Sequence, residues 1–194
     1  MLREEIVLST PLQPLKWYRA LASAKGRRET GIFAAEGIRH VRQLSLTAPR
    51  SIEQLLTLPG TELGSLSSYP IRHVTPKQLK SVAVAKQPPP LLALVRIPAH
   101  VGSVSLPERC TGNILLCEDV QDPGNVGSLI RSAAALGFSG VILTDKCADP
   151  FSPKCVQAAA GTTLSVWLRR TARYRTLLAE LGKRGYRLVA ADVR

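Results

Sequence analysis

Asn125, Gly127 and Arg131 fall within one short stretch, DPGNVGSLIRSAAALGF (122–138), and their spacing is the sequence's clearest pointer to chemistry. Val126, Leu129, Ile130, Ala133 and Leu136 recur at the three-and-four spacing of a helix face turned to a core. Gly127, Ser128, Arg131 and Ala135 share a second face, on which Arg131 is the one long side chain. A guanidinium stays charged and offers five donors in a rigid fork. Small neighbours leave room for another molecule to lie against the backbone with Arg131 projecting towards it. They serve equally for close packing against a second helix, with Arg131 reaching out to solvent. The position just past a strand favours the first reading, because open α/β proteins place ligands at the carboxyl ends of their strands.

The elements that position this stretch are well punctuated. DPGN predicts a type II turn with Gly124 at positive φ, followed by a helix over 126–136 capped by Asn125 and stopped by Gly137. Around it run strand 113–118, strand 140–145, helix 153–160, strand 164–168, helix 173–183 and strand 186–192. Strict strand–helix alternation predicts an α/β domain with a parallel sheet, since parallel strands need crossovers. Upstream, helix 15–24, strand 31–37, helix 38–46, strand 71–74, helix 76–83 and strand 91–97 predict a smaller α/β unit. KQPPP (86–90) reads as a stiff extended connector. The expected organisation is a domain over 1–97, a Pro/Gly/Ser-rich linker over 98–112 and a second domain over 113–194.

The 194 residues carry a net charge of +12. Residues 1–106 hold more than two Lys/Arg for every Asp/Glu, and the remainder are nearer balance. Such an excess points to a polyanionic partner, most often nucleic acid. Runs such as 91–95 and 114–117 are far too short to cross a bilayer, so no membrane partner is expected. MLREEIVLST has no secretory h-region and carries Glu4 and Glu5, which predicts a cytoplasmic protein. Cys110, Cys117, Cys147 and Cys155 form no C-x-x-C pair and His40, His73 and His100 lack ligand spacing; reduced thiols and no metal site are expected.

NVGSLIRSAAALGF resembles the first signature of the SpoU (TrmH) RNA 2'-O-ribose methyltransferases of the SPOUT superfamily. The likeness extends through NILLCEDVQDPGNVG before it and GVILTDKCADPFSPKCVQAAAGT after it. KGRRETGIFAAEGIRHV and LLALVRIP are similar to parts of the L30e-like substrate-binding domain that many members carry. The resemblance implies an L30e-like domain followed by an α/β trefoil-knot domain that uses S-adenosylmethionine to methylate a ribose 2'-OH of rRNA or tRNA. Arg131 would activate that hydroxyl, with Asn125 orienting Arg131 or the ribose. Ala190, Ala191 and Asp192 fall where the first cofactor-binding loop would begin. The family's G-N-E and Ser/Asn-rich signatures follow the strand at which this sequence stops. An incomplete knotted domain, inactive by itself, is therefore expected, from a full-length enzyme that forms homodimers.

Lys25, Arg27, Arg28 and Arg39 flank FAAEG and are the expected RNA backbone contacts, with Glu36 and Gly37 matching the family pattern. Gln157 stands where many members have a basic residue. RRTARYR (169–175) is expected at a loop–helix junction, Arg169 and Arg170 meeting phosphate and Tyr174 stacking on a base. The competing functions are a non-catalytic RNA-binding or ribosome-assembly module and an ordinary nucleotide-binding α/β protein. The lack of a G-x-G-x-x-G turn after strand 113–118 counts against the latter.

Overall fold

The computed structural model describes residues 13–103, 105–108 and 110–191. The stretch 1–10 and Asp192 lie outside the described residues. The described residues build two sheets. In the first half α1 (Leu15–Ala20), α2 (Ala24–Thr30), β1 (Ile32–Glu36), α3 (Ile38–Thr47), β2 (Ile52–Thr57), β3 (Ile71–His73), α4 (Pro76–Val82) and β4 (Leu91–Arg96) give the order β1-β4-β2-β3. The all-apolar run LLALV buries five residues in succession, so β4 takes a central place, antiparallel to β1 and β2. β2 was not expected. Its burial shows almost no alternation, and Glu53 and Gln54 interrupt its apolar run.

The helix expected over 15–24 is two helices meeting at a corner. Ser23 caps the second by accepting from the Gly26 N–H at 3.0 Å. A Cβ on Gly26 would stand 2.0 Å from the Ala20 carbonyl oxygen, so the corner requires glycine. α4 begins with a full capping box: Thr75 Oγ1 accepts from Gln78 N–H while Gln78 Oε1 accepts from Thr75 N–H.

In the second half β5 (Ile114–Cys117), α5 (Pro123–Ala135), β6 (Gly140–Thr144), α6 (Pro153–Ala158), β7 (Trp167–Thr171) and α7 (Tyr174–Lys183) alternate strictly. The strands form the parallel sheet β5-β6-β7, with β6 buried along its whole length. β7 lies three residues later than expected, because Thr163 to Val166 turn and bend before Trp167 pairs with Gly140. Gly140 is needed there: a Cβ would meet the Trp167 indole at 2.0 Å. The strand expected over 186–192 is not formed in the described residues Tyr186–Ala191. Gly185 turns the chain at φ +85°, and Tyr186 is held through its hydroxyl, which donates to the Cys110 carbonyl at 2.7 Å, instead of through a ladder. Leu188 and Val189 stand exposed.

The halves share one core cluster that runs from Phe33 and Val41 to Ile130 and Val156. Phe33 meets Phe151 with ring centroids 5.2 Å apart. Within 98–112 a short 3-10 turn (Ala99–Gly102) packs on β7.

Candidate functional site

α5 starts at Pro123, three residues earlier than expected, and this changes the role of Asn125. The cap is Asp122, whose Oδ1 accepts from the Asn125 backbone N–H at 3.0 Å. Pro123 fills the first helical position, where its missing N–H costs nothing, and Gly124 is helical instead of sitting at positive φ. Lys154 on α6 closes on Asp122 at 2.7 Å. Its hydrogen bond, followed by that from Asn125 N–H, holds the Asp122 carboxyl below the usual carboxylate range. The Asn125 side chain is exposed, relieved of capping duty. Gly137 ends the helix region at φ +72°, as expected.

The small-residue face of α5 divides into a packed and an open part. Gly127 is buried against α6, and a Cβ there would lie 2.3 Å from the Cys155 carbonyl and 2.7 Å from the Ala158 methyl. Ser128, Arg131 and Ala135 are exposed. Among the described residues Arg131 has no ion-pair or side-chain hydrogen-bond partner. Its guanidinium is a cation left open one helical turn beyond the closest α5–α6 approach.

A groove of about 450 Å3 opens between the two halves. Its walls are the β1–α3 turn, the stiff connector and α6. Of the nine residues expected to meet RNA, Glu36, Gly37, Arg39 and Gln157 come together here. Arg39 and Gln157 are exposed on opposite walls. Gly37 holds the turn at φ +96°. Glu36 has a different task from the one expected: its carboxylate accepts from the Val84 N–H at 2.7 Å and the Ala85 N–H at 3.3 Å. It fastens the connector to the turn, and its charge is spent on backbone donors.

Three of the expected RNA contacts are occupied elsewhere. Arg27 is 4% exposed; it donates to Asp149 at 2.6 and 3.2 Å and to the Leu21 and Ala22 carbonyls at 2.9 Å. It ties α2 to the loop ahead of α6 and presents nothing to a ligand. Arg169 is 6% exposed within β7, not at a loop; it donates to the Ser105 and Leu168 carbonyls and lies 5.6 Å from the Trp167 ring centroid. Burial pushes its guanidinium below the ordinary arginine range. Arg170 donates to the Asp145 and Cys147 carbonyls at 2.8 Å and so fastens the loop after β6. Tyr174 is bonded to the Glu118 carboxylate. Lys25 and Arg28 remain exposed on α2, Lys25 in a loose pair with Glu29 at 3.8 Å.

Sequence reasoning missed Lys154, His40 and Val84, which also line the groove. Lys154 lies one turn before Gln157 on α6, a spacing that could have marked it. Val84 carried no signal, because only the fold of the connector leaves it 53% exposed on a concave wall.

All four cysteines are free, and burial pushes the Cys117 and Cys155 thiols up to about 12. Among the described residues no cluster of His, Cys, Asp or Glu could hold a metal ion, and no helix is long and apolar enough to cross a membrane. Ala190 and Ala191, expected at the donor loop, stand exposed outside any helix or strand.

Residues 112–194 match the SpoU rRNA Methylase family. The chain is 30% identical over 151 residues to the 23S rRNA (guanosine(2553)-2'-O)-methyltransferase RlmP of Bacillus subtilis, covering 77% of this chain and 58% of that protein. It therefore spans little more than half of that relative's length. The fold superposes on the SpoU methyltransferase AviRb of Streptomyces viridochromogenes in complex with AdoMet with a TM-score of 0.74 at 25% identity, covering 90% of this chain and 69% of that one. The AdoMet-bound rRNA methyltransferase of Sinorhizobium meliloti gives 0.70 at 25% identity, covering 86% and 64%. Through residues 112–194, the segment that holds Arg131, the chain is similar to the SpoU rRNA Methylase family.

Proposed function

We propose that this chain binds RNA between its two halves and carries the activating arginine of an S-adenosylmethionine-dependent RNA 2'-O-ribose methyltransferase. One observation carries the proposal: Arg131 stands exposed and without a partner among the described residues, on the helix that follows β5 at the carboxyl edge of the parallel sheet. Three arginines elsewhere in the expected set are neutralised or capped by protein groups, and this one is not. The net charge of +12 and the cationic groove are the second support.

The donor's part is to offer a methyl group on a sulfonium centre. The protein's part is to make a ribose hydroxyl attack it. A neutral 2'-OH is a poor nucleophile, and developing negative charge on its oxygen is the costly feature of the transition state. A guanidinium beside that oxygen stabilises the charge and holds the adjacent phosphate in line. A guanidinium offers donors and no acceptor, so its role is electrostatic; the hydroxyl proton would pass to water as the methyl carbon exchanges its bond to sulfur for one to oxygen, the donor leaving as a neutral thioether. Asn125, free of the cap and exposed two turns before Arg131, is placed to hold the ribose or a phosphate. Homodimer formation by the full-length enzyme belongs to the same proposal, and the exposed Leu188 and Val189 support it.

Transfer of labelled methyl from S-adenosylmethionine to ribosomal RNA, by a protein that carries the G-N-E and Ser/Asn-rich signatures together with this segment, is the test, the product scored as alkali-resistant ribose. Arg131→Ala should lower the rate roughly 100-fold or more with thermal stability unchanged. Undiminished labelling by Arg131→Ala overturns the assignment, and RNA binding without labelling by the wild type leaves a binding module in its place.

A further inference from the structure

We propose that the groove between the halves is a seat for one unpaired nucleotide of the RNA, extruded from its neighbours. This deepens the RNA-binding reading and rests on it. A volume of about 450 Å3 lies at the small end of ligand pockets, ample for a single nucleotide. Gly37 and Pro89 line it on one side and α6 on the other.

The chemistry of the walls matches the parts of a nucleotide. Ile38, Val84 and Pro89 give an aliphatic surface for the flat faces of a base. Val84, 53% exposed on this wall, is an apolar residue that the fold leaves uncovered. Gln87 and Gln157 both expose side-chain amides, which donate and accept and so suit a base edge of either polarity. Arg39 stands exposed at the rim, where a 5'- or 3'-phosphate would lie, while Lys154 on the opposite wall is held by Asp122 at 2.7 Å. The one carboxylate lining the groove, Glu36, is engaged by the Val84 and Ala85 N–H groups, and Lys154 is paired with Asp122, so Arg39 is the exposed rim cation without an ion-pair partner among the described residues. An acidic peptide would use the rim cation but leave the aliphatic floor unfilled; a nucleotide uses both.

The groove is also held at a fixed width. Arg27–Asp149 ties the loop before α6 to α2, and Glu36 ties the connector to the end of β1. A preformed seat of this kind accepts a base that has already left its stack and pays no further ordering cost.

The experiment uses the full chain and a single-stranded hexanucleotide carrying 2-aminopurine, with no methyl donor present. Binding should raise the fluorescence of the probe as it leaves its neighbours, and the blunt duplex of the same sequence should bind about tenfold more weakly. Val84→Glu, at a position more than half exposed, should abolish the rise and weaken binding roughly tenfold, with the melting temperature unchanged. Arg39→Ala should lower affinity while preserving the fluorescence rise. A binding event with no rise, a Val84→Glu protein that behaves as the wild type, or displacement of the probe by S-adenosylmethionine alone would each overturn the seat. Because methyl transfer is never measured, failure of the Arg131 assignment and failure of this one are read separately.

Discussion

Replacing Arg27 by alanine removes a group that touches no ligand yet sets the distance between the walls of the groove. The guanidinium is 4% exposed and gives four hydrogen bonds, two to Asp149 and one each to the Leu21 and Ala22 carbonyls. Breaking a fully buried pair from one side costs about 3–5 kcal/mol, mostly by stranding the partner's charge. Here Asp149 keeps 25% of its side chain in solvent and still accepts from the Phe151 N–H at 2.9 Å, so part of its solvation survives. About 2–3 kcal/mol is then the expected loss for Arg27→Ala, a drop of roughly 5–10 °C in melting temperature for a chain of this size. Thermal unfolding followed by circular dichroism measures it, and a double-mutant cycle with Asp149→Ala isolates the pair. A coupling of about 1–2 kcal/mol is expected. Affinity for single-stranded RNA should fall with the loss of the clamp and recover in Arg27→Lys in proportion to recovered stability. Lost RNA binding with unchanged stability and no coupling would refute the reasoning, since it would mean that Arg27 meets the RNA directly.

Gly161→Ala should destabilise the joint by about 2–4 kcal/mol: the residue sits at φ +87° and a Cβ would stand 2.5 Å from the His40 carbonyl oxygen, so both the backbone and α3 must yield. Chemical denaturation of the variant measures this. Gly127→Val should separate α5 from α6, because its Cβ would lie 2.3 Å from the Cys155 carbonyl; loss of methyl transfer together with a lower melting temperature is the expected pair of effects. Acidification should loosen the start of α5. The Asp122 carboxyl is held below its unfolded value by Lys154 and the Asn125 N–H, so its contribution is present above the ordinary carboxylate range and is lost as pH falls through the folded value; hydrogen exchange of the first turn reports it, and Asp122→Asn should flatten the dependence. Arg28→Ala should reduce the salt dependence of single-strand binding by about 0.7 in the log–log slope if the exposed cation meets one phosphate, and leave it unchanged if it does not.

The elements legible in the sequence are those whose pattern and punctuation agree. The β5-α5-β6-α6 run was readable because Gly137 and the strand–helix alternation leave little choice, and β4 because five apolar residues in succession admit only a central strand. β2 was illegible: a run buried on both faces has no period, and Glu53 and Gln54 disguise it further. At the head of α5 two caps competed in DPGN, and Asp122 prevailed because it lets Pro123 enter the helix at the position proline prefers. Charge was the least reliable guide to the site. Arg27, Arg169 and Arg170 have the same side chain as Arg39 and Arg131, and only long-range partners such as Asp149 and Ser105 decide which guanidiniums are spent on the fold. Those partners are distant in sequence and cannot be found by spacing.

The two readings of the bare α5 face turn out to describe different residues of it. Gly127 is small because α6 lies on it; Arg131, one turn later, is beyond that contact and open. The close approach has a further consequence for α6, a helix of only six residues. Cys155 and Val156 face inward, and the carbonyl of Cys155 rests against Gly127, so the side chains left facing out are Lys154 and Gln157, both on the groove. A short helix has little rigidity of its own. Its orientation is fixed from below by Gly127, at its start by Lys154 on Asp122, and beyond its end by Gly161 under α3. The packing that sets the α5 face carrying Arg131 therefore also sets one wall of the nucleotide seat, and a shift of α6 must disturb both together. Substitutions at the α5–α6 contact are accordingly expected to lower RNA affinity and methyl transfer in step, whereas Val84 and Arg131 separate them.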